Sequence, residues 1–265
     1  MRPREVHTAP VASDRAEAPA GVVARELLIG AICVSIAVLL LGLLVGIGLL
    51  PDPRSSEGPG MALGFLYSPI SLLLGAAMYR ATVRLLEPEP EPERGPERGP
   101  GLEEAPLVAA WVRVSIGRSL GICAVHIALA ILGSYLIAYL MSLLGMPVSE
   151  QKSILEITGG GLSLRPALLL LLFTALVAAP IAEELLLRGL FFRRLWQQAG
   201  PGVAYIASAI AFAAIHGNPE GVLVYLWLGV VFARAYQQSG RLWCAVVTHF
   251  GNNAITLAIL LLGDT

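Results

Sequence analysis

The sequence predicts an all-α fold: a polytopic membrane bundle of about seven transmembrane helices. Three observations carry that expectation. Of the 265 residues, 56% are hydrophobic and 14% charged, and mean hydropathy is +0.72, a balance foreign to soluble domains. The apolar residues gather into seven runs separated by Pro-, Gly- and Arg-bearing breaks, most of them close to the ~20 residues that cross hydrocarbon as a helix. Within one run stand two adjacent carboxylates, Glu183 and Glu184. Each costs about 2.5–3.5 kcal/mol to insert.

The runs justify the elements in turn. Residues 1–26 are polar and mixed in charge and read as a disordered cytoplasmic tail. Leu27 to Leu50 is too long for a signal-peptide core and reads as a first span that stays. A breaker-rich loop, residues 51–59, leads to a second span from Met61 to Tyr79. Residues 87–106 open with Glu alternating with Pro, which excludes helix and sheet interior and extends by self-repulsion. They read as a linker. Trp111, Arg113 and Arg118 fit a headgroup-level segment ahead of a third span, Ser119 to Met146. His126 lies alone in that span and reads as an interhelical hydrogen-bonding residue. A loop over 147–166 carries Lys152 and Gly159 to Gly161; three glycines with no strand before them make a loop and not a phosphate cradle.

Pro166 suits the first turn of a fourth span, which contains Glu183 and Glu184 and ends at Arg193-Arg194. A fifth span, Val203 to His216, is broken by Gly217-Asn218-Pro219. A sixth runs from Gly221 to about Tyr236, and a seventh from Leu242 to Leu262. The fifth and sixth are short for a normal bilayer, which points to a thinned or water-penetrated region. Cys33, Cys123 and Cys244 are odd in number and lack disulfide or zinc spacing, so they read as membrane-core residues. The net charge of −1 offers nothing to nucleic acid.

Arginine sets the orientation. Arg80, Arg84, Arg113, Arg118, Arg193, Arg194, Arg234 and Arg241 fall on one side if the N-terminus is cytoplasmic and the C-terminus outside. Glu183 then lies ~15 Å from the inner boundary at Arg193, and His249 ~12 Å from Arg241. His216 comes out deeper unless its helix is tilted or starts late. The active site is expected toward the cytoplasmic side of the cell membrane.

Helical geometry separates the two carboxylates. Arg188 is i+4 from Glu184 and pairs with it. Glu183 has no partner on its own helix, so its partners come from other helices. Candidates follow in Phe212-Ala-Ala-Ile-His216 and His249-Phe-Gly-Asn252-Asn253. Phe212 stands one turn before His216, and His249, Asn252 and Asn253 lie on or near one face. A carboxylate with an imidazole can hold a water and take its proton. A second imidazole with a carboxamide can donate to an oxyanion. Glu183, His216 and His249 could instead bind Zn2+ with one position open to water. Spacing leaves both readings open. Separate interhelical hydrogen bonds would explain any one of these residues; ionisable groups from three helices at compatible depth point to a site.

At these residues the chain resembles the CAAX-protease and bacteriocin-processing family of intramembrane proteases (CPBP, also called Abi). The match is Glu-Glu-x-x-x-Arg-Gly at Glu183, Glu184, Arg188 and Gly189, Phe-x-x-x-His at Phe212 and His216, and His-x-x-x-Asn at His249 and Asn253. It covers about residues 166–262, inside a catalytic transmembrane core of 107–265 that follows the two helices of 27–86. The resemblance implies an endopeptidase acting on a membrane-associated or lipidated, CAAX-like peptide or protein. It implies that Glu183 activates water with His216 helping to hold it. His249 and Asn253 would stabilise the oxyanion, with Glu184 and Arg188 as a supporting pair and Asn252 beside them. The cofactor would be Zn2+ or none. Two other classes stay in view: a non-catalytic scaffold, regulator or immunity protein of the same family, and a proton relay or transporter. No internal inverted repeat supports the last.

Overall fold

A computed structural model describes residues 19–52, 59–86, 113–146, 148 and 165–263. The expected tail over 1–18, the 87–106 linker, Trp111, Lys152 and the triple glycine lie outside the described residues. Within them the chain forms seven helices. These are α1 (Pro19–Gly46), α2 (Pro59–Leu86), α3 (Ile116–Leu143), α4 (165–199), α5 (Pro201–His216), α6 (Val222–Ser239) and α7 (Leu242–Gly263). Four of them, α1, α3, α4 and α7, are long and apolar enough to cross a membrane. The helical membrane bundle expected from the sequence is the fold observed.

Three boundaries differ from the sequence reading. Helix α1 starts at Pro19, so the eight polar-to-mixed positions before Leu27 are helical and not tail. The cause is Glu26, fully buried, which accepts from the Tyr79 hydroxyl of α2 and forms an ion pair with Arg194 of α4 at 2.8 Å. Helix α4 runs past Arg193-Arg194 to Ala199. It turns into α5 at Gly200, whose φ of +88° only glycine adopts without strain. That extension removes the depth problem at His216: Glu183 and His216 stand almost the same number of residues to either side of Gly200. Antiparallel pairing therefore brings them level. Helix α2 continues past Tyr79 to Leu86 and carries Arg80 and Arg84 in its last turns.

Helices approach each other where side chains are smallest, the usual arrangement when lipid removes any hydrophobic drive to associate. A Cβ on Gly75 of α2 would come within 2.8 Å of Val34 on α1. One on Gly229 of α6 would come within 2.8 Å of the Ala209 Cα on α5. Helix α3 packs on α6 and α7, whereas α1 and α2 pack on α4, so the helices that carry the paired carboxylates, His216 and His249 form the middle of the bundle. Phe191, Phe192, Leu195, Ala204, Ala233 and Ala245 make the largest buried apolar cluster, where α4 to α7 meet. All three cysteines are buried and unbonded, Cys123 and Cys244 in contact between α3 and α7. His126 is buried with Nδ1 on the Ile122 carbonyl at 2.8 Å, a bond within its own helix.

Gly229 also presents its carbonyl to the Arg188 guanidinium at 2.9 Å. Gly229→Val should push α6 from α5 and destabilise the protein by about 1–3 kcal/mol, read as a lowered unfolding midpoint in detergent. An unchanged midpoint would show that the close approach is not required.

Candidate functional site

Helix α4 is irregular around the paired carboxylates. Two π-helical segments, Thr174–Ala178 and Leu185–Phe192, flank the turn Ala179–Glu184. Such segments are rare and concentrate at functional sites. The upstream one has a local cause and a distant consequence. The Ala179 N–H bonds the Thr174 carbonyl, one residue further back than in an α-helix. Pro180 has no N–H to give. The Ala175 carbonyl therefore loses both of its helical donors, and Asn253 Nδ2 of α7 donates to it at 2.8 Å. Asn252 Nδ2 in turn donates to Asn253 Oδ1 at 3.2 Å. In this arrangement the Asn253 carboxamide is a clamp between α7 and α4. Sequence reasoning saw Pro180 only as a removed hydrogen bond and missed which side chain repairs it.

Glu184 and Arg188 are both fully buried and pair at 3.0 Å, as the i,i+4 spacing requires. The same Glu184 Oε1 accepts from His249 Nδ1 at 3.0 Å. The Arg188 guanidinium lies over the Phe212 ring, 4.8 Å from its centroid, a cation–π contact that counts most when water is excluded. The His249 ring stacks on Phe232 at 4.6 Å and meets Phe212 at 5.6 Å. Glu184 is thus the shared acceptor of an Arg and a His on two helices. It fixes His249 with Nδ1 as donor and leaves Nε2 turned away from α4's carboxylate.

Glu183 faces another partner. Its Oε2 is buried, has no hydrogen bond among the described residues, and lies 4.0 Å from His216 Nε2. His216 Nδ1 donates to the Phe212 carbonyl at 2.7 Å, because a carbonyl can only accept. Its Nε2 then presents a lone pair to the carboxylate. Phe212 packs on the His216 ring at 4.6 Å, as expected, and Tyr225 stacks on it at 4.1 Å. His216 ends α5, beside the Gly217–Gly221 turn where Pro219 and Glu220 are exposed.

The structure thus joins Glu183 with His216, Glu184 with Arg188 and His249, and sets Phe212 between the two groups. The three expected zinc ligands do not converge: among the described residues no group of three or more His, Cys, Asp or Glu could hold a metal ion. His249 Nδ1 is committed to Glu184, and Glu183 with His216 supplies two donors where a catalytic zinc takes three. Two acceptors 4.0 Å apart instead match one water. An oxygen ~2.8 Å from each would direct one hydrogen to the carboxylate and one to the imidazole.

Residues 165–255 match the family described as type II CAAX prenyl endopeptidase Rce1-like. Among curated proteins, the "Putative membrane peptidase YdiL" of Bacillus subtilis (strain 168) is 26% identical over 92 residues. That alignment takes in 35% of this chain and 38% of the relative, so the chain spans well under half the length of the relative it matches. No solved structure matches significantly.

The Ala175–Asn253 contact makes a coupled prediction. Asn253→Ala should cost about 1–2 kcal/mol, the upper range for hydrogen bonds between membrane helices. The same change should cost clearly less in a Pro180→Ala background, where the backbone regains a donor. Unfolding midpoints of the four proteins in one detergent give the coupling; strict additivity would show that the clamp does not answer the proline.

Proposed function

We propose, on the premise that residues 165–255 belong to the CAAX-protease (CPBP) family, that this chain is an intramembrane endopeptidase in which Glu183 and His216 activate water. The observation that carries the reading is the division of labour between the adjacent carboxylates. Glu184 binds Arg188 and His249 through Oε1, its Oε2 having no hydrogen bond among the described residues. Glu183 turns a buried, otherwise unbonded oxygen toward His216 Nε2.

The chemistry then runs through the chain's own residues. Water between Glu183 and His216 attacks the scissile carbonyl carbon, and its proton passes to the Glu183 carboxylate. Carbon–oxygen bond formation places negative charge on the carbonyl oxygen. His249, as the imidazolium with Nδ1–H held by Glu184, donates to that oxyanion from Nε2. Collapse of the tetrahedral intermediate breaks the carbon–nitrogen bond, and the proton on Glu183 goes to the leaving amine. Arg188 pairs directly with Glu184, and the Phe212 and Phe232 faces cover its guanidinium. Glu183 and His216 are taken to hold the water without a metal, so activity that survives exhaustive chelation is the expected outcome.

The substrate we propose is a membrane-associated or lipidated peptide, in keeping with the family's prenyl-endopeptidase description. We take the arginine-rich ends of the helices and the N-terminus as cytoplasmic. Glu183 then lies ~15 Å from the level of Arg193, about half of the ~30 Å hydrocarbon core. On that orientation the site lies inside the membrane, in the cytoplasmic half of the core and close to its midplane. The polar Gly217–Gly221 turn beside His216 offers water a route to it.

The test is cleavage of a lipidated reporter peptide by the full chain in proteoliposomes. Glu183→Gln should lower the rate by about 100-fold or more without shifting the unfolding midpoint downward, and His216→Ala should do likewise. Wild-type rates in a well-folded Glu183→Gln protein would defeat the reading.

A further inference from the structure

Helices α1 and α2 lie outside the family-matched segment, and a basic crevice of about 190 Å³ opens where α2 meets α4. Arg80 and Arg84 line it from α2, Arg193 and Arg194 from α4, with Tyr79 at its floor. The carboxylate that serves this cluster is Glu26, fully buried and already shared by Tyr79, Arg194 and Arg25. Arg194 is thereby held in place, and Arg25 bridges on to Gln198 at 2.9 Å. Arg80 and Arg84 have no carboxylate partner among the described residues, and Arg193 is exposed beside them. Arg80 and Arg84 are i,i+4 neighbours, and like charges at that spacing repel. Among the described residues, four guanidinium groups against one buried carboxylate leave an excess of positive charge at the edge of the apolar bundle.

We propose that this crevice binds the phosphodiester headgroup of an anionic phospholipid in the arginine-side leaflet. Guanidinium groups match phosphate oxygens in paired, planar geometry. Basic pockets between transmembrane helices on the cytoplasmic side are where such headgroups dock. The volume suits one phosphate group and is below the ~300–1,000 Å³ of pockets for drug-sized ligands. The walls decide between a lipid and a free anion. Val83 and Leu190 line the crevice, and Leu73, two turns closer to the midplane on the Arg80 face of α2, is 39% exposed. An acyl chain running from a headgroup in the crevice toward the midplane would cover it. Glu26 acts here as a positioning residue, since it anchors Tyr79 and Arg194 without reaching the ligand.

Native mass spectrometry of the full chain in detergent tests this, with phosphatidylglycerol, phosphatidylcholine and inorganic phosphate as probes. The wild-type chain should retain phosphatidylglycerol at least about tenfold better than phosphatidylcholine. Each arginine near an anionic headgroup supplies roughly a fivefold factor, so Arg80→Gln with Arg84→Gln should weaken retention about 30-fold. The Lys versions of both should restore most of it, and Arg118→Gln, at an exposed arginine on α3, should leave it unchanged. Equal retention of the two lipids, or unaltered phosphatidylglycerol binding in the double Gln variant, would overturn the proposal. So would complete displacement by millimolar inorganic phosphate, which would assign the crevice to a free anion. Lipid retention is read without any cleavage, so its outcome is separate from that of the peptidase reading.

Discussion

The structure depends on how a pair of carboxylates is kept in a bundle surrounded by lipid. Glu184 is fully buried, and burial of one charge without its partner costs a membrane helix several kcal/mol. Arg188 supplies the compensating charge from the next turn, and His249 supplies a second donor from α7. Arg188 must itself be satisfied, which the Gly229 carbonyl and the Phe212 and Phe232 faces accomplish. Four helices are thus committed to one acceptor oxygen. This commitment frees Glu183, its neighbour by one residue and roughly 100° of rotation, to face His216.

The same economy of buried polar groups shapes the backbone. Helix α4 carries two π segments around its carboxylates, and an irregular helix releases carbonyls that hydrocarbon cannot satisfy. Asn253 captures one of them. The Asn in the His-x-x-x-Asn pattern thereby ties α7 to α4 in the register that places His249 against Glu184. Small residues complete the arrangement, since Gly229 lets α6 come close enough for its carbonyl to reach Arg188.

Much of this was legible in the sequence, and the legible part is local. The Glu184–Arg188 pair and the packing of Phe212 on His216 follow from i,i+4 spacing alone. The need for Glu183 to find a partner elsewhere follows from the absence of one on its own face. Helix number and class followed from the apolar runs. What could not be read depends on tertiary register. That His249 bonds Glu184 and not Glu183 is set by the rotation of α7 against α4. The Ala175 carbonyl becomes an acceptor only through a shift in the helix ladder that no residue type announces. Glu26 sits in a stretch whose composition is that of a tail, and its burial is visible only once Tyr79 and Arg194 converge on it. The paired arginines Arg193-Arg194 suggest an end to the apolar run, but the helix continues past them to Ala199.

The most direct measurement compares the termini of all membrane proteins in cells that carry the wild-type chain or Glu183→Gln at equal abundance. Peptide ends that appear with the wild type and vanish with the variant are the predicted result, and they would identify the substrate as well. Identical termini in the two strains, with the candidate lipidated substrates present and both proteins correctly inserted, would contradict water activation at Glu183.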